Sequence, residues 1–389
     1  MSAHARAPRL TSSLLVVAGA VGCAAPAVDT DARTRLQLAR TGDEAAAATA
    51  QFVDAIDSAE LELAVALPAL VEVELADAII RAQDRGVAIE VITDVDRAED
   101  PGVALLVAAE VPLKLADPGI AYQDFAVNIE LVFPGDAVQM SHAYAVVDRT
   151  RVLSAPFLGG ADVGENLVVD VESEDIAWDF LLEHGQIFGG LDASSLTAYS
   201  AGAKSIVDPN WLYPTQSSLT VELWFGPQER LIKRVIDAVY ASKADVSILT
   251  DDMFDKGLAT ALQAKAADGF PMQVIVGQRF GTQSPQLSSE LRDAAPDVSS
   301  FILTDDRRVP TVVLIDQGVD LVGGKPRTRA FVLTHELVSA TRTLGIEPLR
   351  SDQLIDGHLW VLGQTGEVGP EITQLQELID EHFDLSEAL

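Results

Sequence analysis

The stretch FVDAIDSAELELAVAL, Phe52 to Leu67, returns as VIDAVYASKADVSILT, Val235 to Thr250, at a constant offset of 183 residues. Each copy opens with apolar residues at helical spacing and closes on a short apolar strand. The same offset joins RGVAIEVI, Arg85 to Ile92, to DGFPMQVI, Asp268 to Ile275, a glycine-containing turn running into a further strand. A third pair, AVVDRTRVLS (Ala145 to Ser154) and VLIDQGVDLV (Val313 to Val322), reads as a β-hairpin whose turn follows an aspartate, with the offset reduced to 168. Repeated alternation of helix and strand predicts an α/β protein of two similar sandwich halves, each a mixed sheet flanked by helices. Chance similarity between two α/β units is the competing reading, and constant spacing over about forty residues argues against it.

The bulk composition narrows the function classes. The chain has 389 residues, enough for two domains, and 48% hydrophobic content gives each a core. With 27 Lys plus Arg against 59 Asp plus Glu, the net charge of −32 repels phosphate backbones and disfavours nucleic acid as a partner. A saline habitat explains the same acidity without any partner.

At the N-terminus, Arg6 and Arg9 precede the apolar run Leu14 to Ala20, too short for a comfortable membrane span and suited to a secretory signal. The run leads through Ala20, Val21 and Gly22 into Cys23, the single cysteine of the chain. This resembles a bacterial lipobox, with Ala20 where a leucine is usual, and it implies that residues 1–23 form a lipoprotein signal segment whose Cys23 is lipidated and becomes the mature N-terminus. An incidental cysteine in an ordinary signal peptide is the alternative. A sole cysteine forms no internal disulfide, so an envelope location is compatible with the absence of bridges. Ala24 and Ala25 after the cysteine imply sorting to the outer membrane, and residues 24–48 read as a tether.

From residue 49 onward the chain resembles the phospholipase D superfamily. The resemblance rests on the opening helix and strand, the step from Ala82 through Arg85-Gly86-Val87 to Asp94, the ENLVV strand at Glu165 to Val169, and the helix SEDIAWDFLLEHGQIF at Ser173 to Phe188. It implies two such domains, 49–191 and 221–389, joined by a linker at 192–220 and related by a pseudo-twofold axis. It also implies a motif HxKxxxxD in each half: one histidine attacks phosphorus, the other protonates the leaving oxygen, and two lysines hold the charged oxygens. Anchored on Asp148, the first motif has Ser141 in the histidine place and Ala143 in the lysine place. Anchored on Asp316, the second has Val309 and Thr311 there.

His142 is the one displaced candidate. On a regular strand a one-residue slip turns it to the opposite face from the shared cleft, unless a bulge intervenes, and in that register Tyr144 and Arg149 replace the lysine and aspartate. His184, His335, His358 and His382 all lack a lysine two residues on. The turn after the first motif, Ala155-Pro156-Phe157-Leu158, lacks the small hydrogen-bonding residues of the family pattern, and Pro156 removes a backbone donor.

Two further groups carry possible chemistry. The acidic ends Thr93-Asp94-Val95-Asp96 and Thr250-Asp251-Asp252 could hold a divalent cation, or serve local turn hydrogen bonding. Lys325, Arg327 and Arg329 form a compact basic group, an anion site or a solvated loop. No zinc spacing, phosphate-binding loop or nucleophile elbow is present, and no cofactor is implied. The expectation is a catalytically degenerate envelope lipoprotein with a binding or scaffolding role, its partner a phospholipid or an envelope protein. The alternative is an active phosphodiesterase or phosphatidyltransferase acting on phospholipid around His142.

Overall fold

The computed structural model describes residues 34–388 apart from 41–44, 117–120, 125–128, 133–139, 157, 159–164, 189–210, 218, 227–228, 252, 278–298, 304–307, 318–319, 323–324, 336, 339–356 and 366–367. Its first half runs β1 (Arg35–Arg40), α1 (Ala45–Ser58), β2 (Glu62–Leu67), α2 (Val73–Asp84), β3 (Ala88–Asp94), α3 (Pro101–Ala108), β4 (Leu113–Ala116), β5 (Ala121–Asp124), β6 (Ile129–Val132), β7 (Tyr144–Val147), β8 (Arg151–Ser154), β9 (Leu167–Glu172) and α4 (Glu174–Phe188). The second half opens with β10 (Tyr213–Pro214), β11 (Leu219–Phe225), α5 (Leu231–Ala241), β12 (Val246–Thr250), β13 (Met253–Phe254), α6 (Lys256–Ala267) and β14 (Met272–Val276). It continues through β15 (Ser299–Leu303), β16 (Thr311–Ile315), β17 (Asp320–Val322), β18 (Lys325–Leu333), β19 (Leu337–Val338), β20 (His358–Thr365), α7 (Pro370–Asp384) and β21 (Ser386–Ala388).

The sheet order of the predicted repeat is present, but the second hairpin is corrected: β17 (Asp320–Val322) pairs with β18 and not with β16, and β18 takes the place beside β16. The first sheet has the order β1-β9-β8-β7-β2-β3-β4, and the second has β11-β20-β18-β16-β12-β14-β15 in the corresponding places, extended by β10 at one end and β21 at the other. Both sheets are mixed: β2 pairs with β3 in parallel and with β7 antiparallel, as β12 does with β14 and β16.

Alternation along each strand divides the interior into three cores. In β2, Leu63, Val65 and Leu67 face α1, α2 and α3, while Ala64 and Ala66 face the other way. In β16, Val313 and Ile315 pack with α5 and α6, whereas Val312 and Leu314 turn inward. The inward residues of both sheets join Ile176, Ala177 and Phe180 of α4 and Ile372, Leu375, Leu378 and Ile379 of α7 in one shared core. Two mixed sheets, each with outer helices, therefore enclose a common layer holding α4 and α7. Residues Arg33–Leu389 form one compact unit.

Two expected boundaries are corrected. Arg35–Arg40, read as tether, is the edge strand β1 paired along β9, because Leu36 supplies an inward apolar residue to the shared core. Helix α1 likewise begins at Ala45 rather than after residue 48. In the expected linker 192–220, Tyr213–Pro214 and Leu219 onward are sheet, and 192–210 lies outside the described residues. The signal segment and Cys23 also lie outside them.

The motif aspartates hold the repeat together locally. Asp148 has φ 50° and Asp316 φ 58°, left-handed turn conformations that aspartate tolerates. From that turn Asp148 accepts the backbone N–H groups of Leu61 at 2.7 Å and of Glu60 and Glu62 at 3.0 Å, fixing the α1–β2 connection. Asp316 accepts from Lys243 and from Ala244 at 2.9 Å, the residues equivalent by the 183-residue offset to Glu60 and Leu61. Burial pushes the Asp148 carboxyl up, but the three backbone donors outweigh it and hold the group below its usual range. A carboxyl depressed in the folded state stabilises above its unfolded pKa, and that contribution disappears as pH falls through the folded value. Asp148→Asn is expected to cost about 1–2 kcal/mol at neutral pH. It should also remove part of the acid-induced loss of stability below pH 3.8, the ordinary value for this group. Urea unfolding of the parent and the variant at several pH values checks both; equal midpoints at neutral pH would contradict the clamp.

Candidate functional site

The four positions that the resemblance assigns to chemistry hold no acid, base or cation. Ser141 is half-buried where the halves approach each other. A Cβ on Gly357 would lie 3.3 Å from Ser141 Cβ and 3.0 Å from both the His335 ring and Thr334 Oγ1, so this approach requires glycine. Ala143 is fully buried, and its carbonyl accepts from the Ala155 N–H at 3.1 Å. Val309 belongs to the shared core, and Thr311 Oγ1 lies 3.0 Å from Thr250 Oγ1. Pro156 and Leu158, after the first hairpin, are buried apolar surface, and Phe157 lies outside the described residues.

His142 points into the shared core, which corrects the expectation that a slip of one residue would turn it away. Residues 141–143 precede β7 and are not part of it. The inward parity is moreover that of Met140, Tyr144 and Val146, and His142 continues it. There it meets a histidine of the other half: Nδ1 of His142 lies 3.3 Å from Nδ1 of His358, the rings stacked at 13° with centroids 5.6 Å apart. Nε2 of His142 is 3.4 Å from Glu183 Oε1 of α4, and Nε2 of His358 is 2.7 Å from Ser154 Oγ of β8. His142 and His358 are 0% exposed, Ser154 and Glu183 1%.

Donor and acceptor counting makes this a single polarised chain. Only one hydrogen can lie between the two Nδ1 atoms. If Ser154 donates to His358 Nε2, then His358 Nδ1–H donates to His142 Nδ1, and His142 Nε2–H faces the Glu183 carboxylate. If His142 is an imidazolium against Glu183, the direction reverses and His358 Nε2–H donates to Ser154. In either arrangement all four ring nitrogens face protein partners. Tyr144, Phe180, Phe225 and Trp360 surround the rings edge-on or tilted at centroid distances of 5.1–6.3 Å. Tyr144 Oη lies 3.1 Å from Nδ1 of His184, whose pKa is lowered to about 3 by burial and, second, by neighbouring His142. His184 is therefore a neutral member of the same cluster.

His382 joins the halves elsewhere. Its Nε2 lies 2.9 Å from Glu165, the acidic residue of the ENLVV strand. Arg40 reaches Glu165 at 2.7 Å and Glu381 at 2.7 Å. Burial pushes Glu165 up, but His382 and Arg40 together hold it below the usual carboxylate range.

The acidic ends follow the local reading. Asp94 accepts from the Asp96 and Met140 N–H groups at 2.8 Å each, and Asp251 pairs with Arg308 at 3.2 Å. They are also not equivalent in the repeat, since Asp94 ends β3 while Asp251 follows β12, the counterpart of β2. Of the basic group, Arg329 is half-buried with its guanidinium 5.9 Å from the Phe331 ring centroid, and the side chains of Lys325 and Arg327 lie outside the described residues.

Sequence reasoning missed His358, Glu183 and Ser154. A search for lysine-spaced histidines passes over His358, which opens the alternating strand His358, Trp360, Leu362. Glu183 carries a readable signal: it falls on the inner face of α4 with Ile176, Phe180 and Ile187, a carboxylate at an apolar helical position.

A family model described as "Cardiolipin synthase, PLD-like domain" matches residues 52–154. No curated protein sequence matches the chain significantly. Among solved structures, phosphatidylserine synthase of Haemophilus influenzae superposes with a TM-score of 0.58 at 14% identity, covering 91% of this chain and 87% of that one. Polyphosphate kinase of Porphyromonas gingivalis superposes with a TM-score of 0.51 at 12% identity, covering 88% of this chain and 50% of that one. The chain therefore carries a PLD-like domain over residues 52–154 and shares the paired mixed-sheet fold of these structures along most of its length.

Proposed function

We propose that this is a phospholipase D-fold protein of the bacterial envelope, anchored through Cys23, that has given up the superfamily's phosphodiester reaction for a binding or scaffolding role. A pair of imidazoles meeting between the halves is the opposite of what an empty site predicts, so the reading rests on the missing ammonium groups and on the closure of that pair. A nucleophilic imidazole needs a free lone pair aimed at phosphorus and a general acid open to the leaving oxygen. Here every nitrogen of His142 and His358 faces a protein partner, and both rings are 0% exposed. Ala143 and Thr311 stand where ammonium groups would hold the developing charge, and the loss of one such donor typically costs a hundred- to thousand-fold in rate.

A second reading is favoured by the same pair. Two imidazoles from different halves meet, with a carboxylate behind one and a hydroxyl behind the other, the components of an acid-base relay. On that reading the chain is a phosphodiesterase or phosphatidyltransferase acting on phospholipid, with His142 in the catalytic role once the core opens to substrate.

Three measurements bear on these readings. Purified protein assayed on a generic phosphodiester and on phosphatidyl lipids is expected to show no turnover above a mock preparation; turnover abolished by His142→Ala would establish the second reading. His358→Ala leaves a buried imidazole, hydroxyl and carboxylate without their chain, and is expected to destabilise by about 2–4 kcal/mol in urea unfolding. A change below 0.5 kcal/mol would deny the pair its structural role. For the anchor, metabolic labelling with a fatty acid should mark the natural chain and leave Cys23→Ser unlabelled, and equal labelling would refute it.

A further inference from the structure

The described fold begins beside a group of exposed aromatic and apolar side chains. Thr34 is tied to the neighbourhood of α4: its hydroxyl donates to Ser173 Oγ at 3.4 Å, and its carbonyl accepts from the Gln216 N–H at 3.0 Å. Ser173 immediately precedes α4, and Trp178 lies five residues further along it, about 7.5 Å along the axis. Asp179, the next residue, accepts the Tyr213 hydroxyl at 2.5 Å, and Trp211 and Leu212 immediately precede that tyrosine. Trp178 is 56% exposed, Trp211 61% and Leu212 60%. The other two tryptophans, Trp224 and Trp360, are buried.

Exposed indoles flanking one structural link, at the point where the N-terminal segment joins the fold, suit a lipid interface. Tryptophan combines an apolar body with an N–H donor and prefers the headgroup level of a bilayer. Ten residues, 24–33, lie between Cys23 and Thr34 in the sequence. Beside Trp178 a surface cavity of about 460 Å³ is lined by Asp148, Arg149, Thr150, Glu174 and Asp175. Arg149 is paired with Glu62 at 2.5 Å, so the rim is dominated by carboxylates. Carboxylates beside an indole face attract ammonium groups rather than phosphate.

We infer that the Trp178, Trp211 and Leu212 face docks on a zwitterionic phospholipid surface, the indoles at headgroup level and the lipid ammonium groups towards the acidic cavity. Docking is by surface contact: among the described residues no helix is long and apolar enough to cross a membrane. The inference rests on the envelope reading for the presence of a bilayer but does not require lipidation.

The test uses the full chain and vesicles of phosphatidylcholine with brominated acyl chains, which quench only indoles close to the bilayer. The chain is expected to float with the vesicles and to lose most emission from its two exposed tryptophans. The double variant Trp178→Phe/Trp211→Phe, with circular dichroism unchanged, should show no quenching, because its remaining indoles are buried. Flotation without quenching, failure to float, or quenching that survives in the double variant would each overturn the proposal. Equal or stronger flotation with phosphatidylglycerol vesicles would overturn the zwitterionic assignment. Failure of the anchor is read separately, by equal fatty-acid labelling of Cys23→Ser, and leaves the quenching result to stand or fall by itself.

Discussion

The shared core between the two sheets is crossed by a chain of buried polar groups whose cost in apolar surroundings falls when they pair with one another. Glu183, His142, His358 and Ser154 satisfy one another in sequence, and Tyr144 and His184 extend the cluster. Buried imidazoles and a buried carboxylate are costly alone and specific together. A shift of the halves by one residue would break the Nδ1–Nδ1 contact and leave several polar groups unpaired. The chain thus acts as a register key, while Phe180, Phe225 and Trp360 supply the apolar volume around it.

The motif aspartates serve folding in both halves: each sits in a left-handed turn and gathers the backbone donors that begin its central strand. The positions that the resemblance assigns to histidine and lysine hold Ser141, Ala143, Val309 and Thr311. Of these, Ser141 lies close to Gly357 of the other half and Val309 belongs to the shared core.

The fold was legible in the sequence because it is written in periodicity and repetition, which local patterns carry. The offset of 183 identified equivalent turns and strands before any contact was known, and the aspartate clamps fall on it. The edge strand Arg35–Arg40 escaped because a single strand outside the repeat, with Leu36 and Leu38 between polar residues, resembles a polar tether. The site was less legible. His142 was visible, but its direction depends on where β7 begins, and a shift of two residues decides whether strand alternation applies at all. His358 comes from a strand 216 residues away, and only tertiary packing brings it to His142.

A ligand reaching His142 and His358 must first separate two sheets and break the paired chain. The outer surface carries no such penalty. Large apolar groups held in water persist most readily where something covers them. Trp178 and Trp211 meet that description, placed by the contacts of Asp179 with Tyr213 and of Ser173 with Thr34.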